Sequence, residues 1–79
     1  MRTKNRAKSS FIVELEREED GRWIAEIPKL SGVMAYGNTR QSALRKVYVI
    51  ALRALADNLE QGYTPAPVSY LFEHEMAHR

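Results

Sequence analysis

The sequence predicts an α+β fold, a two-layer β-β-β-α-β sandwich in which an antiparallel sheet carries one long helix packed on one face. Two observations lead to it. Apolar and polar residues alternate from Phe11 to Glu16 and again from Arg22 to Ile27, on either side of Asp20-Gly21, the pattern of a hairpin with one buried face. From Leu44 to Leu59 the apolar residues instead recur every three or four positions, the period of a helix.

The elements follow in order. In the first strand Phe11, Val13 and Leu15 share one side and Ile12, Glu14 and Glu16 the other. Asp20-Gly21 turns the chain, because Gly accepts positive φ and Asp bonds to the local backbone. The second strand, 22–27, places Trp23, Ala25 and Ile27 on one face, and Pro28 ends it by removing a donor. At the corner Leu30 tucks back as a plug and Gly32 lets the backbone turn into a third strand, 33–36, closed by Gly37. Asn38 or Thr39 caps a helix running to about Gln61, with Gly62 as its left-handed terminator. Leu44, Val47, Tyr48, Ala51, Leu52, Leu55, Ala56 and Leu59 form one broad core-facing stripe on it. Pro65-Ala66-Pro67 is an extended linker, and Val68, Tyr70 and Phe72 alternate as a short fourth strand.

A chain of 79 residues makes one small domain with a thin core, hiding somewhat more than about 60% of its extended surface. Without cysteine it has neither a disulfide staple nor a thiolate zinc site, so self-association or a partner is a natural source of further burial. The N-terminus is polar and no apolar run approaches the ~18 residues of a membrane span, which implies a cytoplasmic chain with no membrane partner. The formal net charge of +2 conceals a polarity. Arg2, Lys4, Arg6 and Lys8 lie in a flexible basic arm, residues 1–9, that offers nothing apolar against ordering entropy and could touch nucleic-acid phosphate. The remaining body, the α+β domain of 10–73 and a polar tail of 74–79, keeps eight of the 12 basic residues against all 10 acidic ones. Glu14, Glu16, Glu18, Glu19, Asp20 and Glu26 crowd the first hairpin, whereas Arg40, Arg45, Lys46 and Arg53 follow the helix.

The stretch from Gly21 to Thr39 is the most specific part of the chain. Its ordered set, Asp20-Gly21, an aromatic-containing strand 23–27, Pro28-x-Leu30-x-Gly32, a strand ending in Gly37, a capping Thr39 and an early helical Ala43, resembles the HicB family of antitoxins over about Phe11 to Pro67. Members of that family neutralise small HicA-type mRNA-cleaving toxins, and their fold is described as a partial ribonuclease H-like one. The resemblance implies a non-catalytic binding protein that covers the active site of a small RNase toxin, with no cofactor. The family's toxins bind RNA through a basic surface around a catalytic His. The acidic hairpin Glu14, Glu16, Glu18, Glu19 and Asp20 would then mimic substrate, and Trp23, Pro28, Leu30 and Tyr36 would give the contact its shape.

Three departures stand beside this. Arg40, Arg45 and Lys46 replace the acidic residues that favour a helix N-terminus in many members, either as solvated or hairpin-paired bases or as a partner-specific surface. Val33 stands where a Cys is common. Only seven residues follow Phe72, where many members carry an operator-binding segment, so direct DNA binding is not expected.

Other readings compete. A nuclease would need carboxylates converging on two metal ions. Glu14, Glu16 and Glu26 could share a sheet face, but no Asp or Glu lies from Ile27 to Ala56. His74-Glu75-Met76-Ala77-His78 is a literal H-E-x-x-H, which on a helix would aim two imidazoles at zinc with the Glu as general base. It has no third His or Cys ligand, so a polar tail or a weak two-His metal site competes with a metalloprotease. Trp23 is core or an interface anchor, the same alternatives stand for Tyr36 and Tyr63, each at an element end where it could be half-exposed, and Tyr48 packs. The alternative from another class is a stand-alone homodimer or higher homo-oligomer with an accessory nucleic-acid contact through the basic arm.

Overall fold

The computed structural model describes residues 10–77. The basic arm with Arg2, Lys4, Arg6 and Lys8 lies outside the described residues, as does His78. Three strands form an antiparallel meander: β1 (Glu14–Arg17), β2 (Trp23–Glu26) and β3 (Met34–Gly37), in spatial order β1-β2-β3. Helix α1 (Arg40–Glu60) packs on one face of this sheet, and a single turn, α2 (Ala66–Ser69), follows it.

Turn chemistry sets the register. The β1–β2 hairpin is closed by the Glu18 amide donating to the Arg22 carbonyl at 2.7 Å and the Gly21 amide to the Glu18 carbonyl at 2.9 Å, with Gly21 at φ +93°. Both are available because glycine alone enters that region without a Cβ penalty. The β2–β3 corner is held by three backbone bonds, Ile27 N–H to Val33 O, Leu30 N–H to Ile27 O and Val33 N–H to Leu30 O, all between 2.9 and 3.1 Å. These turn Leu30 inward, where it is buried in the core as the sequence leads one to expect.

Pairing then aligns Leu15 with Ala25 and Ala25 with Ala35 on the helix-facing side. Against them α1 sets Ala43, Val47, Ala51 and Leu55, one row at i, i+4 spacing. Ile27, Leu30, Val33 and Val68 complete the core, with Phe11, Val13, Leu15, Trp23 and Ala54 packed at its margin. Thr39 caps α1, its Oγ1 accepting from the Ser42 amide at 3.0 Å. Gly62, at φ +97°, terminates it beyond Gln61, and the Tyr63 amide returns to the Asn58 carbonyl at 2.8 Å.

Two expectations are corrected. Val68, Tyr70 and Phe72 form no fourth strand: residues 66–69 are helical, and no strand follows among the described residues. The prolines explain this, since a first helical turn needs no amide from Pro67 and Pro65 sits preset at φ −58°, ψ 143°. The Val68 amide then donates to the Pro65 carbonyl at 2.9 Å and the Ser69 hydroxyl to the Ala66 carbonyl at 2.8 Å. The single broad stripe on α1 is also not what is buried. Tyr48, expected to pack, is 49% exposed, Leu52 62% and Leu59 43%. A helix of 21 residues is about 31 Å long, whereas strands of four residues span only about 13 Å. The sheet covers the row from Ala43 to Leu55, and Tyr48, Leu52 and Leu59, which lie beside that row or beyond its end, stay exposed.

Candidate functional site

The face of the sheet turned away from α1 has no element over it among the described residues. Register determines what it displays. One cross-strand row reads Glu14, Glu26, Met34 and the next reads Glu16, Ile24, Tyr36. Rows on the same face bring such side chains within reach of one another. The result is an apolar centre, Ile24, Met34 and Tyr36, bordered along β1 and β2 by Glu14, Glu16 and Glu26. Glu14 stands directly opposite Glu26, a pairing of like charges that opposes folding by a few tenths of a kcal/mol up to about 1 kcal/mol.

The hairpin tip continues the acidic surface. Glu16, Glu18, Glu19 and Asp20 line a shallow concavity with Arg17. Asp20 is the carboxylate with a cation beside it: its Oδ1 accepts from the Arg22 amide at 3.0 Å and its Oδ2 from Arg22 Nε at 2.9 Å. The bond from the Arg22 backbone, assisted by the guanidinium, holds the Asp20 carboxyl below its ordinary value. The same guanidinium lies 4.6 Å from the centre of the Tyr36 ring, tying the turn to β3 through a cation–π contact. Among the described residues Glu14, Glu16, Glu18, Glu19 and Glu26 have no ion pair, and Arg40, Arg45, Lys46 and Arg53 make none with the hairpin.

Of the residues singled out from the sequence, Glu14, Glu16 and Tyr36 meet on the open face, with Glu18, Glu19 and Asp20 at its tip. Trp23 does not join them. It lies on the helix side, half-buried at the core margin, with the Arg17 guanidinium 5.9 Å from its ring centre. Leu30 is buried and cannot touch a partner, while Pro28 is exposed at the corner. Ile24, Met34 and Arg22 were not singled out, although the alternation that places Glu14 and Glu26 outward also places Ile24 there. Tyr63 is 65% exposed beyond the end of α1.

A second open surface lies beside α1. Phe11, Val13, Leu52, Leu55, Val68 and Leu71 line an apolar groove of about 530 Å³, with Tyr48 and Tyr70 at its edges. In the tail His74, Glu75, Met76 and Ala77 are exposed, in no helix, and His78 is outside the described residues. Among the described residues no group of three or more His, Cys, Asp or Glu side chains is gathered for a metal ion. No described helix is long and apolar enough to cross a membrane. The chain matches no protein-family model, no curated protein and no solved structure.

Proposed function

We propose that this chain is a HicB-like, non-catalytic antitoxin domain that neutralises a small HicA-type mRNA-cleaving toxin by covering its active site. The observation that carries the reading is the open sheet face. Carboxylates held in strand register without internal cations are ready to meet a basic surface, and complementary charge of this kind steers association and excludes wrong partners. The Ile24, Met34 and Tyr36 centre supplies the apolar contact that gives such an interface its affinity. In this reading the sheet and α1 are the two layers of a sandwich of the partial ribonuclease H-like type, working in the cytoplasm, and the hairpin carboxylates occupy the toxin's RNA-binding surface.

Glu14→Lys with Glu26→Lys tests it. If this reading holds, a small basic protein is encoded next to this chain's gene, and coexpression should relieve its toxicity and yield a copurifying complex. The double variant should weaken the complex at least about tenfold, the scale set by losing one to two interfacial charge contacts. Each single reversal should instead leave the fold intact and stabilise it slightly, because it replaces a like-charge pair by an opposite one. No complex with such a protein, or a complex indifferent to the double reversal, refutes the reading. The alternative, a stand-alone homo-oligomer with an arm for nucleic acid, draws support from the apolar surface beside α1.

A further inference from the structure

Helix α1 carries two neighbouring apolar rows. The first, Ala43, Val47, Ala51 and Leu55, is buried on the sheet. The second, Tyr48, Leu52, Ala56 and Leu59, is exposed. At about 100° of turn per residue it lies roughly a quarter-turn or more around the helix from the first. Its spacing of four, four and three residues makes a continuous ridge, and Arg45 extends it by three residues towards the N-terminus. Beside the ridge runs the groove walled by Val68, Tyr70 and Leu71, with Tyr70 73% and Leu71 67% exposed.

We propose that this ridge and groove are a self-association surface, on which α1 of a second copy of this chain packs antiparallel about a two-fold axis at Leu52. Symmetry makes the proposal specific. An isologous contact requires the ridge to complement itself, and an axis at Leu52 sets Tyr48 level with Ala56 of the second copy, a large side chain against a small one, twice. Leu52 meets its own counterpart. Arg45 comes level with Leu59 and Glu60 of the second copy, and neither Arg45 nor Glu60 has an ion pair within the described residues of its own chain. Area agrees with this. Tyr48, Leu52, Leu59, Tyr70 and Leu71 together expose on the order of 500–600 Å² of mostly apolar surface, which doubled by symmetry approaches the ~1,200 Å² at which stable interfaces begin. A patch of that size is also at the upper end of what monomers leave open. The basic arm is no candidate occupant for the groove, since residues 1–9 contain only Met1 and Ala7 as apolar side chains.

The surface lies on the α1 layer and shares no residue with the acidic sheet face, so the test uses the full chain alone, with no toxin. Sedimentation velocity across a micromolar to submillimolar range should show a monomer–dimer equilibrium. Leu52→Glu should weaken it at least about a hundredfold, because the axis brings two unpaired carboxylates together. The chain has no cysteine, so single introductions report proximity cleanly. Under mild oxidation Leu52→Cys should form a disulfide-linked dimer, while Ile50→Cys, about 160° round the helix from Leu52 and also exposed, should not. A monomer at every concentration overturns the proposal. So does a dimer that survives Leu52→Glu, or one that crosslinks equally through both cysteine variants.

Discussion

Gly37→Ala isolates the closest approach in the fold. Gly37 ends β3 and faces the first turn of α1, and its φ is not in the positive region, so alanine is free to adopt the backbone conformation. The cost is therefore one of space. A Cβ at this position would meet the backbone nitrogen of Ala43, with Ser42 Oγ at 2.8 Å and Ala43 Cα at 2.9 Å. Ordinary carbon contacts are about 3.5–4.0 Å, so sheet and helix would have to part by on the order of half an ångström or more. Two of the three atoms are main chain at a capped helix start, which places the penalty at the upper end of the overpacking range, about 2–3 kcal/mol. Removing a glycine returns about 0.4–1 kcal/mol through the unfolded state, leaving a net loss of about 2 kcal/mol. For a chain of this length that lowers Tm by about 10 °C. Urea unfolding followed by the fluorescence of the single tryptophan, half-buried Trp23, measures it at a fixed low protein concentration. Gly21→Ala is the control, because at φ +93° it has strain but nothing within 4 Å, and about 1 kcal/mol is expected there. A Gly37→Ala variant as stable as the parent, or less perturbed than Gly21→Ala, would refute the reasoning.

Two further outcomes follow from the turns and caps. Thr39→Ala removes the side-chain acceptor of the Ser42 amide and should lower stability by about 1 kcal/mol in the same unfolding experiment, with Thr39→Ser retaining most of it. Asp20 has a carboxyl held below its ordinary value by Arg22, so the folded state binds this proton less readily than the unfolded chain does. Its stabilising contribution is complete above the unfolded value of about 4 and disappears as pH falls through the lowered folded value. Asp20→Asn should therefore lower the neutral plateau of a Tm–pH profile slightly and flatten its acid limb below about pH 4, the two profiles converging in acid. A profile parallel to that of the parent would contradict the assignment.

Most of the fold was legible because its punctuation is local. Asp20-Gly21, Pro28, Gly32, Thr39 and Gly62 each act through φ preference or a neighbouring amide, and each ends or starts an element close to where its chemistry places it. What was not legible depends on comparing elements. Periodicity on α1 reports which residues are apolar, but only the side on which the sheet packs decides that Val47 is buried and Tyr48 is not. The segment after Gly62 failed for a related reason: Val68, Tyr70 and Phe72 alternate well enough for a strand, yet two prolines make a helical turn the cheaper local conformation. For the candidate site, alternation within each strand was enough to group Glu14 with Glu16. The pairing of Glu14 opposite Glu26, and the arrival of Ile24 and Tyr36 in one row, required the register. Trp23 was ambiguous until the helix was seen to occupy its face.

The helix rests on the sheet through small side chains, Ala25 and Ala35 below, Ala43 and Ala51 above, with Ala25 and Ala43 wholly shielded from solvent. Such a seam has no slack, and its response to substitution is lopsided. Trimming a peripheral leucine leaves a space that its mobile neighbours can partly refill, whereas adding a methylene at either shielded alanine has to displace a whole element. Variation in this molecule is therefore channelled outward: residues on the open sheet face and on the exposed ridge of α1 can change size and charge without displacing an element, while the alanines keep the two presenting surfaces at a constant separation.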